Sequence, residues 1–323
     1  MKNPLDNGIR QRAFANGYLL VQTMMWGLSF IWTKNINAEM PTPAYLALRF
    51  IVAALVLLPL LIRKLKDALS PAFVRASLVL GGLLFASMTL QIFGLNYTSV
   101  TNSAFITSTT VLIVPILERL LFKKKLSPAL WVGCLVAFGG VGVLSGGLSL
   151  KLNIGDVLTA LCAVGFSFQI LYCAKYGAEH PADVLGSAHI VVAAVLFVAL
   201  WGVYGFELTG FKASFIFGIV FMGVINTSAG FVGQVVALKY TTPSVAGLVY
   251  AMEPIFATMF ALIIPGTDGQ VESIPLKTGL GVLAVLTGVA IALVDSFLPK
   301  RRAAAAQAEA EMEAAQAEAE AAD

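Results

Sequence analysis

Apolar runs of about 20 residues recur along this 323-residue chain, with short polar connections between them. A helix of that length covers the roughly 30 Å hydrocarbon layer of a bilayer. The pattern therefore predicts spans near 16–36, 42–62, 73–95, 100–121, 128–147, 154–176, 183–206, 212–238, 243–264 and 275–297. Three starts carry a chemical signature. Ser70-Pro71, Ser127-Pro128 and Thr242-Pro243 each offer a hydroxyl N-cap followed by a proline at the first helical position, where a missing N–H is harmless. The expected fold class is all-α and integral to the membrane, with ten transmembrane helices.

The spans are not independent of one another. Laying residues 90–98 over 233–241, an offset of 143, sets Gln91 on Gln234, Leu95 on Leu238 and Tyr97-Thr98 on Tyr240-Thr241. Gly27, Ser29 and Phe30 of the first span likewise match Gly165, Ser167 and Phe168 of the sixth, and Gly140 matches Gly288. The chain thus divides into a short N-terminal segment (1–15), a first five-helix repeat (16–147), a second (154–297) and a tail (298–323). Five is an odd number, so the second repeat must enter the membrane inverted relative to the first, the arrangement of transporters that work by alternating access.

Composition agrees with a lipid environment: 58% of residues are hydrophobic, 12% are charged, and the mean hydropathy is +0.85. The net charge of +3 is small and dispersed, which argues against nucleic acid as a partner. With the N-terminus in the cytoplasm, that side holds 16 of the 21 Lys and Arg residues; the outer side keeps Lys34, Arg49, Lys151, Lys212 and Lys277. Both termini are therefore expected in the cytoplasm, in a multi-pass protein of the cell inner (plasma) membrane. The polar, basic residues 1–15 do not read as a cleavable signal, because the apolar run after them is long enough to span. After Pro299 an Ala/Glu/Gln tail has high helix propensity but only Met312 as a large apolar residue, which predicts a solvated, partly helical segment.

Several stretches resemble the EamA-like branch of the drug/metabolite transporter superfamily, which includes bacterial amino-acid and metabolite exporters. They are Trp26-Gly27-Leu28-Ser29-Phe30, Leu48-Arg49-Phe50, Tyr97-Thr98-Ser99 running into Asn102-Ser103-Ala104-Phe105, Tyr240-Thr241 and Met252-Glu253-Pro254. The resemblance covers about residues 16–297. It implies a central cavity lined by spans 1–4 and 6–9, with spans 5 and 10 outside it. Many members carry a proline where Val111 stands here; this chain has Pro115 instead, one turn later.

Glu253 is the most informative residue, since about ten residues into the ninth span it lies near the bilayer midplane. Insertion scales put the cost of an acid there at roughly 2.5–3.5 kcal/mol, so such a group usually faces a cavity or a partner. Pro254 beside it removes a helix hydrogen bond to the Tyr250 carbonyl, so an acid and a hinge coincide. The functional reading is a proton or cation site coupled to transport, or a contact for a substrate ammonium; the structural one is a packing residue bonded to a neighbour. Arg49, in the second span, either snorkels to the outer interface or acts as a carboxylate clamp or ion-pair gate. Pro115 is the corresponding hinge candidate in the fourth span.

Gln91 and Gln234 occupy equivalent places, so if one faces the central axis both should. Asn226, Gly230 and Gln234 recur every four residues, which puts them on one helix face. With Gln169 and the aromatics Trp26, Phe105, Tyr172 and Tyr250, these form the expected substrate-binding set, each having helix packing as its alternative role. Gly133, Gly139, Gly140 and Gly142 in the fifth span, and Gly279, Gly281 and Gly288 in the tenth, are expected to let helices approach closely. Cys134, Cys162 and Cys173 lie in apolar runs without CxxC spacing and read as packing residues. His180 and His189 lack the acidic or histidine neighbours of a metal site, and residues 139–147 lack the Lys-Ser/Thr ending of a phosphate loop. Neither a metal, a cofactor nor ATP hydrolysis is expected.

The leading functional expectation is secondary or facilitated transport, in the export direction, of a small organic solute such as an amino acid. One acid, amides, hydroxyls, aromatics and few bases disfavour phosphorylated sugars, which need several cationic contacts. Efflux of lipophilic or quaternary cations is the alternative, and Arg49→Ala should separate the two by hurting only amino-acid transport. An enzyme acting on lipid-linked substrates would show clustered His, Asp or Glu at a membrane face, a pattern the sequence does not carry. A non-transporting scaffold would act through the tail, and deleting residues 303–323 would then abolish function. The protein is expected as a monomer or homodimer in the bilayer.

Overall fold

The computed structural model describes residues 4–144, 153–265 and 276–297. The tail from residue 298, the connection at 145–152 and the one at 266–275 lie outside the described residues. Among the described residues all regular structure is helical: α1 (Pro4–Asn37), α2 (Thr42–Ala68), α3 (Pro71–Leu95), α4 (Val100–Thr107), α5 (Thr110–Phe122), α6 (Pro128–Leu144), α7 (Ile154–Glu179) and α8 (Ala182–Val203) in the first two thirds. There follow α9 (Ser214–Phe221), a π-helical segment (Met222–Ala229), α10 (Gly230–Ala237), α11 (Pro243–Tyr250), α12 (Glu253–Ala261) and α13 (Leu276–Phe297). Seven helical stretches are long and apolar enough to cross a membrane: α2, α3, 100–122, α7, α8, 214–237 and 243–260; shorter apolar stretches lie in α6 (Pro128–Val143) and α13 (Gly279–Val294).

The helix starts follow the local chemistry. Ser70, Ser127 and Thr242 accept hydrogen bonds from the backbone N–H of Phe73, Leu130 and Val245, three residues on, at 3.1, 3.1 and 3.3 Å. Asn153 and Asp156 close a reciprocal capping box at the start of α7. α1 begins at Pro4 rather than near residue 16, so the polar N-terminal stretch extends the first helix instead of preceding it.

α6 lies against α13, α2 against α8, and α3 against both α7 and α8. The α6–α13 pair depends on glycine. A Cβ on Gly133 would stand 2.7 Å from the Gly288 carbonyl oxygen, one on Gly288 2.5 Å from that of Gly133, and one on Gly140 2.6 Å from the Val285 nitrogen. Gly139 and Gly279 have nothing within 4 Å, and Gly142 meets only a ring carbon of Phe105 at 3.9 Å. Those three therefore take no part in the close approach, because they lie on the wrong side of their helices.

Two helices are broken, and at equivalent places. α4 and α11 coincide under the 143-residue offset, and so do the starts of α5 at Thr110 and α12 at Glu253. The breaks fall at Ser108-Thr109 and Ala251-Met252. The first half breaks with no proline at position 111, so Pro254 is not the common cause; it occupies the first turn of the new helix, where proline is tolerated. Pro115 sits inside the continuous α5, six residues past the break, and marks no interruption.

Candidate functional site

The two breaks, the middle of α7 and the π segment face one another across a cavity of about 620 Å³, part of it open to solvent. Trp26, Ser29, Phe30 and Thr33 line it from α1, Arg49 from α2, and Met88, Gln91, Ile92 and Leu95 from α3. Thr107 and Thr110 flank the first break and Tyr250 and Glu253 the second, while Phe166, Gln169, Ile170, Asn226, Phe231 and Gln234 complete the wall.

One wall is aromatic. The Trp26 ring lies 5.1 Å from both Phe231 and Tyr250, tilted by 42° and 43°. Toward the N-terminal end of α1 the chain is closed. Tyr18 donates to the Ala229 carbonyl at 2.5 Å, its ring lies where any side chain on Gly233 would have to go, and Leu19, Val235, Leu238 and Tyr250 share one buried cluster. The cavity is thus displaced toward the C-terminal ends of α1 and α3.

The polar groups fall into two sets. Gln91 Nε2 donates to Thr107 at 3.4 Å and Gln169 Nε2 to Gln234 Oε1 at 3.4 Å, so the amides of both halves are tied loosely to neighbours rather than to lipid. Arg49 is only 2% exposed. Its Nε donates to Thr227 Oγ1 at 2.7 Å and its Nη2 to Asn226 Oδ1 at 3.2 Å. The snorkelling expectation is corrected here: the guanidinium turns inward, because hydroxyl and amide acceptors await it inside. Glu253, also buried, forms no hydrogen bond or ion pair with a described residue, and its side chain lines the open space.

Asn226 is held at several points. Its Nδ2 donates to the Met25 carbonyl at 2.7 Å, and its own carbonyl accepts from Trp26 Nε1 at 3.3 Å. The four-residue spacing of Asn226, Gly230 and Gln234 does not describe one α-helical face, since the helix is π-wound through residue 229; Asn226 and Gln234 nevertheless reach the cavity, and Gly230 backs Trp26. Two expected site residues lie elsewhere. Phe105 stacks on Phe138 at 6.1 Å within the cluster formed with α6 and α13, and Tyr172 stacks on Tyr176 at 5.6 Å. His189 is fully buried with Nδ1 3.2 Å from the Leu185 carbonyl of its own helix. Among the described residues no three His, Cys, Asp or Glu side chains stand together as metal ligands, and the three cysteines are buried and unbridged.

Thr107 and Thr110 were not expected in the cavity. The signal existed: at the 143-residue offset they are the mates of Tyr250 and Glu253.

Comparison with known proteins agrees with this architecture. A solved crystal structure superposes with a TM-score of 0.72 over 87% of this chain and 96% of its own, at 17% sequence identity, a likeness of fold alone. An uncharacterized transporter of Archaeoglobus fulgidus is 29% identical over 258 residues, 79% of each chain. An uncharacterized transporter of Clostridium kluyveri is 22% identical over 251 residues, 74% of this chain and 79% of its own. The model of the EamA-like transporter family matches twice, at residues 13–146 and 153–294. Apolar helices around a cavity lined by aromatic and polar side chains, and a family match covering most of the sequence, have one conclusion: the chain is a multi-pass membrane protein that belongs to the EamA-like transporter family.

Proposed function

We propose that this protein carries small zwitterionic metabolites, amino acids foremost, across the cell inner membrane by secondary or facilitated transport in the export direction. One observation carries the reading. A guanidinium from α2 and a carboxylate from α12 line the same cavity, each without an oppositely charged partner among the described residues, beside an aromatic wall. A carboxylate recognises an ammonium and a guanidinium recognises a carboxylate, so a solute bearing both groups satisfies both walls. Ten spans in two inverted repeats, 16–147 and 154–297, with both termini cytoplasmic, would let the broken helices exchange conformations in alternating access. On that orientation the cavity belongs to the outward side.

The lipophilic-cation reading keeps the aromatic rings and Glu253 but leaves Arg49 as a like charge in the same cavity, which disfavours it. Counterflow in proteoliposomes tests the proposal. Vesicles preloaded with one unlabelled amino acid at a time should accumulate its labelled form transiently, and Glu253→Gln should reduce the rate at least tenfold. If no amino acid exchanges while a quaternary ammonium compound does, the zwitterion assignment is wrong.

A further inference from the structure

The two halves are not equal around Arg49. Gly81 on α3 and Gly223 in the second half make the same kind of contact: a Cβ on Gly81 would stand 2.5 Å from Val192 Cγ1 and 2.8 Å from the His189 carbonyl, and one on Gly223 2.6 Å from Val52 Cγ1 and 2.9 Å from the Arg49 carbonyl. This pairs Arg49 with His189, and Gly81 with Gly223 at an offset of 142. Ten residues later Gln91 and Gln234 line the cavity at an offset of 143, as do α4 and α11. The second half therefore carries one extra residue between 223 and 234. The π segment, residues 222–229, lies there. A π turn bonds i to i+5 and is how a helix absorbs an inserted residue, often at a functional site. α3 has no such segment; where the second half has Asn226 and Thr227, it has apolar residues, Leu84 and Phe85, which pack in a hydrophobic cluster.

At the offset of 142 set by Gly81 and Gly223, the second half thus has two acceptors that grip Arg49 at Nε and Nη2 where the first has an apolar pair. The segment is itself anchored: Asn226 holds the Met25 carbonyl of α1 and Ser228 Oγ donates to the Ala53 carbonyl of α2 at 3.1 Å. His189, at the equivalent place in the other half, is bonded only to its own helix, and its Nε2 is buried without a partner. Arginine has five N–H donors in a planar fork, and the π segment takes two of them. The remaining donors meet no described acceptor, in a side chain that lines the cavity.

We infer that the π segment exists to present the Arg49 guanidinium to the cavity, with Asn226 and Thr227 as positioning residues, and that the end of the solute received there is a carboxylate. This rests on the reading of the cavity as the solute site, but does not require that the solute be an amino acid. The α2 side of the cavity is a carboxylate clamp with no equivalent beside α8, so the solute enters in one orientation, its carboxylate against α2 and the rest toward the aromatic wall and Glu253.

The test compares acids with their amides, which have the same shape but lack the charge. Purified full-length protein in detergent is titrated with isovalerate against isovaleramide, phenylacetate against phenylacetamide, and L-leucine and L-phenylalanine against their amides, reading the thermal unfolding midpoint. The acids should raise the midpoint and the amides should not. Thr227→Val, which keeps the shape and removes the acceptor for Nε, should weaken acid binding about tenfold, the scale of one hydrogen bond to a charged group. Thr227→Ser should retain it. Equal stabilisation by acids and amides, no stabilisation by any carboxylate, or unchanged acid affinity in Thr227→Val would overturn the inference. The comparison on the unaltered protein decides even if the valine variant does not fold. Selective binding of isovalerate or phenylacetate with no amino-acid counterflow would sink the zwitterion reading and keep the clamp. Counterflow with indifferent amide binding would do the reverse.

Discussion

The α6–α13 pair and the cavity wall are both built where helices meet, yet they use opposite means. In the pair, backbones touch through Gly133, Gly140 and Gly288, the helices are unbroken where described, and among the described residues the contact contains no buried charge. Around the cavity two helices are broken, a third is π-wound, and an arginine, a glutamate and three glutamines are held in the interior. Lipid offers no hydrophobic force to press helices together, so close packing of small residues is what makes the first region firm. Polar groups and irregular backbone at membrane depth are tolerated only where they line a cavity, and that is where the second region puts them. The pair serves as a frame, and the cavity as the part with chemistry to do.

That contrast can be broken at several points. Gly288→Leu should have the largest effect: its side chain would collide with the Gly133 carbonyl and the Ala137 backbone, costing about 3 kcal/mol or more, read as loss of folded protein in detergent melts. Arg49→Ala should leave the fold largely intact and reduce amino-acid counterflow by about a hundredfold, because one buried charged contact to a carboxylate is worth roughly 3 kcal/mol. Gln91→Leu, loosely bonded to Thr107, should lower transport by only about tenfold or less, the worth of one neutral hydrogen bond. Gly139→Leu, on the same helix as the sensitive glycines but with open space around it, should change stability by under about 0.5 kcal/mol. If Gly139→Leu proved as damaging as Gly288→Leu, the division into frame and cavity would be wrong.

These regions are unevenly legible in the sequence, for physical reasons. The caps at Ser70, Ser127 and Thr242 were legible because capping is a local interaction of neighbouring residues. The Gln91–Gln234 relation was legible because a repeat gives the same side chain the same place twice. Facing was harder. Hydropathy gives a residue's depth but not its direction around the helix, so it does not separate Phe105 and Tyr172, which pack on Phe138 and Tyr176, from the cavity residues, and it leaves Arg49 with two routes, of which the structure takes the inward one. Prolines point to hinges at Pro115 and Pro254, but the breaks lie at Ser108-Thr109 and Ala251-Met252, equivalent places that do not share a proline. The π segment is hardest of all, because its only trace is an offset that changes from 142 to 143 between Gly223 and Gln234.

The central claim is that the solute occupies this cavity, and solute protection of an introduced thiol tests it most directly. The native cysteines are buried, whereas Ser29 on α1 is half-buried and lines the cavity. Ser29→Cys in proteoliposomes should react with a water-soluble thiosulfonate reagent, and the amino acid that supports counterflow should slow that reaction at concentrations near its apparent KM. A thiol that reacts equally fast with saturating solute, in vesicles still exchanging it, would mean that transport runs elsewhere.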